Sequence, residues 1–181
     1  MGEPIEIVPY DPAWPAMFAR RGPALRAALG DAAARIDHIG STSVPGLAAK
    51  PVIDIQISVA SLEPADAFLS PLTGRGFIYR ADNPERTKRY FREPPGQHRT
   101  HVHVRQLGSF SQQFPLLFRD YLRCHPAAAT EYAAAKRHCA ARFRSDRPGY
   151  VQAKDAFVWD IIRRADAWAQ HTGWTPQASD A

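Results

Sequence analysis

Residues 38–57 read HIGSTSVPGLAAKPVIDIQI, the most specific segment of the sequence. It begins in a predicted strand over 35–39, passes through a loop rich in Gly, Ser and Pro over 40–50, and ends in a predicted strand over 52–59. In the second strand the aliphatic side chains at odd positions face one side, whereas Asp54 and the other even positions face the opposite side. The pattern therefore presents one carboxylate close to a hydroxyl-rich turn.

The loop has the composition of a phosphate-binding turn. Gly40 allows the backbone to approach a bulky anion without a Cβ clash. Ser41, Thr42 and Ser43 add hydroxyl groups, and consecutive backbone amides can surround phosphate oxygens. Asp54 lies on a strand rich in Ile and Val, where a carboxylate is costly unless it is paired or bound to a metal. We expect it to hold a divalent metal ion beside the phosphates, the alternative being a structural turn followed by an exposed aspartate.

The hydrophobic periodicity of the whole chain predicts an α+β protein. It has a mixed α/β core over 1–108 and a helical C-terminal part of the same domain over 109–170. Polar residues at 171–181 are expected to form a loose tail. The remaining predicted elements are strands over 5–7 and 76–80, a hairpin of strands over 88–93 and 98–105, and helices over 11–30, 62–75, 111–124, 126–144 and 150–169.

Length and composition restrict the class of protein. A chain of 181 residues fits one domain, and a hydrophobic fraction of 45% excludes a wholly disordered chain. No run approaches about 18 uninterrupted apolar residues, so we expect no transmembrane helix. No signal peptide is recognisable at the N-terminus. Cys124 and Cys139 lack a metal-type or redox-type spacing and are expected to be free thiols in a reducing cytoplasm.

The positive charge is concentrated in one part of the chain. Residues 86–147 hold 13 Lys and Arg against four Asp and Glu, whereas the remainder holds ten against 14. Of the 23 cations 19 are Arg, whose planar fork suits phosphate or carboxylate. This set indicates an anionic ligand, although solvated basic helix faces would give the same count. A phosphorylated small molecule or nucleotide is favoured over nucleic acid, because no groove-reading motif is evident.

Several motifs together resemble the GrpB family, also described as UPF0157. Besides residues 38–55, the resemblance rests on the following segments: residues 10–14 (YDPAW), 101–104 (HVHV), 118–126 (FRDYLRCHP), 132–136 (YAAAK) and 150–157 (YVQAKDAF). The family is assigned to the nucleotidyltransferase fold, and some relatives are fused to dephospho-CoA kinase. The resemblance therefore implies a small mixed β-sheet flanked by helices, with a helical C-terminal part.

The resemblance also implies an active-site pattern of Gly-Ser, a spacer, two carboxylates on one strand and a third on a later strand. Ser41 and Asp54 match this pattern. Gln56 takes the place of the second carboxylate, and the later strand carries His101 and His103 but no acid. Since two-metal transfer needs clustered negative charge, the site either uses one metal with histidine help or only binds its ligand.

His101 and His103 alternate with valines, so both imidazoles face one side of their strand. In the layout that the resemblance implies, this strand lies next to the Asp54 strand. The three residues would then form a mixed site suited to zinc, manganese or iron rather than magnesium. The histidines could instead act as general bases or phosphate-binding donors, or play a structural part at a strand edge.

Four basic residues are expected to line the cleft, the last three of them on the helical part, which commonly closes over the nucleotide in transferases of this fold. The candidates are Arg89, Arg123, Lys136 and Lys154, and Lys50 is close enough to the loop to reach an anion there. A solvated surface charge is the alternative for each. Aromatic residues at helical core spacings are expected to be packing residues, namely Tyr132, Phe157 and Trp159.

These features predict a protein that binds a nucleotide or other phosphorylated small molecule, with metal-dependent nucleotidyl transfer as a further step. The metal would be Mg or Mn, or Zn if the histidines are ligands. The alternative is a catalytically degenerate binding or accessory module, related to coenzyme A or nucleotides, without transferase activity. The expected catalytic and metal residues are Asp54, His101 and His103, and the expected ligand-binding residues are Gly40, Ser41, Thr42, Ser43, Lys50, Gln56, Arg89, Arg123, Lys136 and Lys154.

Overall fold

The computed structural model describes residues 4–181, which form five strands and five α-helices. The strands are β1 (Arg35–Ile39), β2 (Ile53–Val59), β3 (Ile78–Tyr79), β4 (Lys88–Arg92) and β5 (Thr100–Gln106). The helices are α1 (Trp14–Leu29), α2 (Asp66–Gly74), α3 (Phe110–Cys124), α4 (Pro126–Arg142) and α5 (Arg147–Thr172). The predicted α+β class is confirmed.

The strands form one mixed sheet in the order β1-β2-β5-β4-β3. The central strands β2 and β5 are parallel, and the other neighbouring pairs are antiparallel. In the parallel pair Asp54 lies opposite His101 and Gln56 lies opposite His103. Two strands that are more than 40 residues apart in sequence therefore bring their polar residues side by side.

The two faces of the sheet differ because side chains alternate along each strand. Ile53, Ile55 and Val102 are fully buried on the face covered by α1 and α2, where they pack with Trp14 and Phe68. Burying each such aliphatic side chain contributes about 1.5–3 kcal/mol. Since the register is fixed by this apolar face, the polar residues of β2 and β5 must lie on the opposite face.

The opposite face is covered by α3, α4 and α5 together with the loop after β1. Loop residues Val44 and Leu47 pack in one apolar cluster with Phe118 and Leu122 of α3 and Ile161 of α5. The helical layer is thus attached to the same loop that begins with Gly40, and a cleft lies between this layer and the polar face of the sheet. No helix within residues 4–181 is long and apolar enough to cross a bilayer.

Three predicted elements differ from the structure. The predicted strand over 5–7 is wrong, because Ile5 packs against Cys139 and Tyr150 of the helical layer and only Val8 makes an isolated bridge, to Ala49. The helix predicted over 62–75 begins only at Asp66, since the residue before a proline is disfavoured in helical geometry. Helix α5 begins earlier than predicted, because a proline is tolerated in the first turn of a helix.

The residues expected to form a loose tail are instead attached to the sheet. Helix α5 extends to Thr172, and the following residues run back to the edge strand β1. Ala181 N donates to Ile36 O at 3.1 Å, and the Asp180 carboxylate accepts from His38 N at 2.9 Å and from the buried Arg119 at 2.8 Å. These contacts pair backbone groups that an edge strand would otherwise leave open.

Candidate functional site

The turn after β1 leaves little room beside Asp54. Gly40 has a φ of +73°, and a Cβ added there would lie 2.7 Å from Asp54 Oδ2. Ser43 Oγ donates to Gly40 O at 2.6 Å, and Thr42 Oγ1 donates to Val52 O at 3.0 Å, so both hydroxyls close the turn internally. The turn therefore holds its backbone against the Asp54 carboxylate. Since the hydroxyls of Thr42 and Ser43 bond to backbone carbonyls, Ser41 supplies the hydroxyl that faces the cleft.

The cleft contains a cavity of about 430 Å³ in which all four lysines of the chain meet. We call it the lysine cavity, after Lys50, Lys88, Lys136 and Lys154. Arg147 adds a fifth cation to its wall, and within the described residues Asp54 is its only carboxylate. The other lining residues are Gly40, Ser41, Thr42, Ala49, Val52, His101, His103, Phe118, Tyr132, Tyr150 and Val151.

Lys136 is the most enclosed of these cations, with 3% of its surface exposed. Its Nζ donates to Ser41 Oγ at 2.9 Å and to Ala48 O at 2.6 Å. Burial, and then the charges of Lys154 and other nearby cations, lower the pKa of Lys136 to about 7. A bound anion would offset both effects, because it would supply the opposite charge that this enclosed ammonium lacks.

The neighbouring lysines are perturbed in the same direction. Burial, followed by the charge of Arg147, lowers the pKa of Lys50 to about 8. Burial also lowers the pKa of Lys154, whose Nζ lies 3.4 Å from Tyr132 Oη. Cations that repel one another in an enclosed space would be stabilised by an anion placed between them.

Asp54, His101 and His103 form a compact cluster on the sheet side of the cavity. Asp54 Oδ1 lies 3.2 Å from both His101 Nδ1 and His103 Nε2. Burial raises the pKa of the Asp54 carboxyl, but the hydrogen bonds with the two histidines outweigh it and hold that pKa well below its usual range. Burial lowers the pKa of His103 to about 4, so this imidazole is neutral at physiological pH.

This donor set fits a divalent metal ion. Two imidazole nitrogens and one carboxylate oxygen lie within 4.8 Å of one another, and two histidines with one carboxylate are a common set for iron, zinc or manganese. The Tyr90 ring contacts both imidazoles, with centroid distances of 5.5 Å and 5.3 Å, and helps to orient them. The outer nitrogens, His101 Nε2 and His103 Nδ1, are buried and have no hydrogen-bond partner.

Several predicted site residues lie elsewhere. Gln56 is fully buried, donates to Gln112 O at 2.8 Å and accepts from Arg105 at 2.9 Å, so it connects β2 to α3 and β5. Arg89 pairs with Glu63 on the outside of the sheet. Arg123 lies on the side of the loop away from the lysine cavity, where its Nε donates to Ser43 O at 3.0 Å. None of these three residues, nor Ser43, lines the lysine cavity.

Two cations of the cavity were absent from the predicted set. Lys88 begins β4, opposite Arg105 in the antiparallel pairing with β5, and Arg147 begins α5. Neither residue stands in a motif. For Lys88 the only signal in the sequence is the small number of lysines among many arginines, and this signal does not apply to Arg147. The aromatic prediction is right for one residue of three, since Tyr132 is buried whereas Phe157 and Trp159 are exposed on α5.

Comparison with known structures identifies the architecture. The crystal structure of the conserved protein GrpB from Enterococcus faecalis superposes with a TM-score of 0.80 and 34% identity, covering 90% of this chain and 99% of that chain. A Cid1 poly(U) polymerase bound to Mg 3'-dATP superposes with a TM-score of 0.54 at 15% identity, covering 81% of this chain and 49% of that one. The fold is therefore nucleotidyltransferase-like, as the resemblance implied.

Curated relatives carry two kinds of name. UPF0157 protein PA4798 of Pseudomonas aeruginosa is 42% identical over 92% of this chain and 70% of its own length. A dephospho-CoA kinase of Mycolicibacterium paratuberculosis is 39% identical over 96% of this chain, which spans about half of that protein (49%). The family model described as "GrpB protein" matches residues 4–164, which include the loop, the Asp-His cluster and all four lysines. The chain therefore belongs to the GrpB family.

Proposed function

We propose that the chain binds a nucleotide or another phosphorylated small molecule in the lysine cavity. The observation that carries this proposal is the convergence of all four lysines on one cavity in a chain that otherwise uses arginine. Ammonium groups act as compact point charges that several phosphate oxygens can share. Gly40 supplies the close backbone approach, and Ser41 supplies a hydroxyl that already accepts from Lys136 Nζ at 2.9 Å.

Asp54, His101 and His103 would hold a divalent ion at the edge of the same cavity. The ion would supply positive charge to the phosphate oxygens, as divalent ions do in phosphoryl-transfer sites. Imidazole ligands favour manganese or zinc over magnesium, which prefers oxygen ligands. The fold and the polymerase name of the Cid1 neighbours support a nucleotide as the phosphorylated ligand, with metal-dependent nucleotidyl transfer as the reaction.

A second candidate is binding without transfer. Gln56 stands where a second carboxylate would be expected, and it is occupied by hydrogen bonds to Gln112 and Arg105 rather than directed into the cavity. The dephospho-CoA kinase relatives support a ligand related to coenzyme A for such a module. A cytoplasmic location, where these ligands occur, agrees with the free thiols of Cys124 and Cys139.

Titration calorimetry with inorganic tripolyphosphate tests the binding step. We expect a dissociation constant in the micromolar range that is weakened at least tenfold by Lys154→Met. The matched control is Arg163→Met, an exposed cation on the same helix that lies outside the lysine cavity. Equal affinity of Lys154→Met and the wild type, or no binding at all, would remove the proposal.

Metal binding and turnover are measured separately. Calorimetry with Mn²⁺ and Zn²⁺ should give a site that is lost in Asp54→Ala and kept in Asp37→Ala, which changes a buried aspartate outside the cavity. A panel of nucleotides and dephospho-CoA with Mg²⁺ or Mn²⁺ then reports transfer or hydrolysis. Turnover that Asp54→Ala abolishes supports the transferase, whereas tight binding without turnover supports the second candidate.

A further inference from the structure

A second cavity lies beside the lysine cavity and differs from it in character. It has a volume of about 650 Å³, and we call it the aromatic pocket after Phe110, Phe114 and Trp159. Phe110 and Trp159 expose 69% and 51% of their surface, which is unusual for large apolar side chains. The three rings are in contact, since Phe114 lies 5.8 Å from both Phe110 and Trp159 between centroids.

Residues that line the two cavities are neighbours on two elements, helix α3 and the start of β4. On α3, Phe110, Phe114 and Phe118 follow one another at a spacing of four residues, so they lie on one helix face. Phe118 lines the lysine cavity, and its ring lies 6.4 Å from that of Phe114 in the aromatic pocket. On the opposite wall Thr87 lines the aromatic pocket and its neighbour Lys88 lines the lysine cavity. The lining residues Phe114 and Phe118 are thus about one helical turn, or ~6 Å, apart along α3.

The aromatic pocket also holds an unused polar group. Arg105 lines it with only 7% of its surface exposed, and its Nε is buried without a hydrogen-bond partner. Its Nη1 is already engaged with Gln56 at 2.9 Å. A buried donor without a partner is costly, so this N–H is a candidate for pairing with a ligand acceptor.

We propose that the aromatic pocket binds the planar base of the ligand whose phosphates lie in the lysine cavity, which makes that ligand a nucleotide or a nucleotide-containing coenzyme. The base would stack on Trp159 and Phe114, and a ring nitrogen or carbonyl of the base would accept from Arg105 Nε. The 6.4 Å between the Phe114 and Phe118 rings is similar to the separation that a ribose places between a base and its first phosphate. This inference rests on the proposed phosphate site and adds the class of ligand to it.

The test compares two ligands of equal charge, ATP and methyl triphosphate, by calorimetry. Stacking contributes ~1–3 kcal/mol per base, so ATP should bind about 5- to 150-fold more tightly than methyl triphosphate. Trp159→Ala should bring the affinity for ATP most of the way down to that for methyl triphosphate, and it should leave the affinity for methyl triphosphate within about twofold of the wild-type value. The control Phe157→Ala removes another exposed aromatic of α5, outside both cavities, and should change neither affinity. ATP, but not methyl triphosphate, should also quench a fluorescence component that Trp159→Phe removes.

The outcomes separate the two proposals. If both ligands bind equally to the wild type, or if Trp159→Ala weakens both to the same extent, the base pocket is wrong while the phosphate site remains. Unchanged ATP affinity in Trp159→Ala likewise overturns the base pocket. The exposed aromatic side chains would then be better explained as a contact surface for another protein. If neither ligand binds, both proposals fail.

Discussion

Replacing Lys136 by methionine should separate ligand binding from folding. Lys136 is buried, and its ammonium donates to Ser41 Oγ at 2.9 Å and to Ala48 O at 2.6 Å. Methionine has a similar length and removes only the charge and the donors. The change therefore acts on the group that would meet the phosphate and preserves most of the packing around it.

The expected magnitudes differ for binding and for stability. A hydrogen bond to a charged group contributes ~1.5–3 kcal/mol, so the affinity for tripolyphosphate should fall about 10- to 150-fold. In the unliganded protein the lost hydrogen bonds cost ~0.5–1.5 kcal/mol each, but the cost of burying the ammonium disappears at the same time. The two contributions oppose each other. We expect a net change within ~1.5 kcal/mol, or a few degrees in Tm.

Calorimetry with tripolyphosphate and thermal unfolding of the same samples measure both quantities. The control is Arg142→Met, which removes an exposed cation at the end of the same helix, α4, outside the lysine cavity. It should leave the affinity within about twofold. Wild-type affinity in Lys136→Met, with the fold intact, would refute the placement of the anion. Equal losses in both variants would indicate only a general effect of net charge.

Three further changes test the rest of the site. Sulfate, whose charge is constant from pH 6 to pH 9, should bind more weakly as pH rises, because the pKa is about 7 for Lys136 and about 8 for Lys50. An affinity that does not change with pH would contradict this. Gly40→Ala should lower Tm and Mn²⁺ affinity together, whereas Gly46→Ala, at a φ of +76° with nothing near its Cβ, should show only the backbone cost of ~1–2 kcal/mol. His103→Ala should weaken Zn²⁺ binding at least tenfold in calorimetry, whereas His98→Ala, outside the cluster, should not.

Alternation along two strands was enough to predict which residues share a face. The isoleucines of β2 and the valines of β5 belong to the apolar core, and this forces Asp54, His101 and His103 to the other side. Their adjacency required the fold, because it depends on the parallel pairing of two strands that no short motif connects. The family resemblance supplied that pairing, whereas the local sequence did not.

The errors concern residues whose partners are distant in sequence. Arg123 has a basic side chain on the correct helix, yet it donates to the back of the loop at Ser43. The expected loose tail lies along β1 because Asp180 pairs with the buried Arg119, a contact across 61 residues. Charge and composition indicate that such groups need partners, but they do not indicate which of several available partners a side chain pairs with in the folded protein.

The charge balance of the lysine cavity bears on the choice between transferase and binding module. A two-metal site needs several carboxylates to hold its ions, and the described residues supply only Asp54 to this cavity. Changing Gln56 to a carboxylate would not restore a second ligand, since its side chain is buried against Gln112 and pairs with Arg105. Fixed ammonium groups can stabilise a developing phosphate charge in place of a second ion. If transfer occurs here, it therefore requires one divalent ion at Asp54 with the lysines supplying the remaining positive charge, and its rate should follow the protonation of Lys136 as well as the metal concentration.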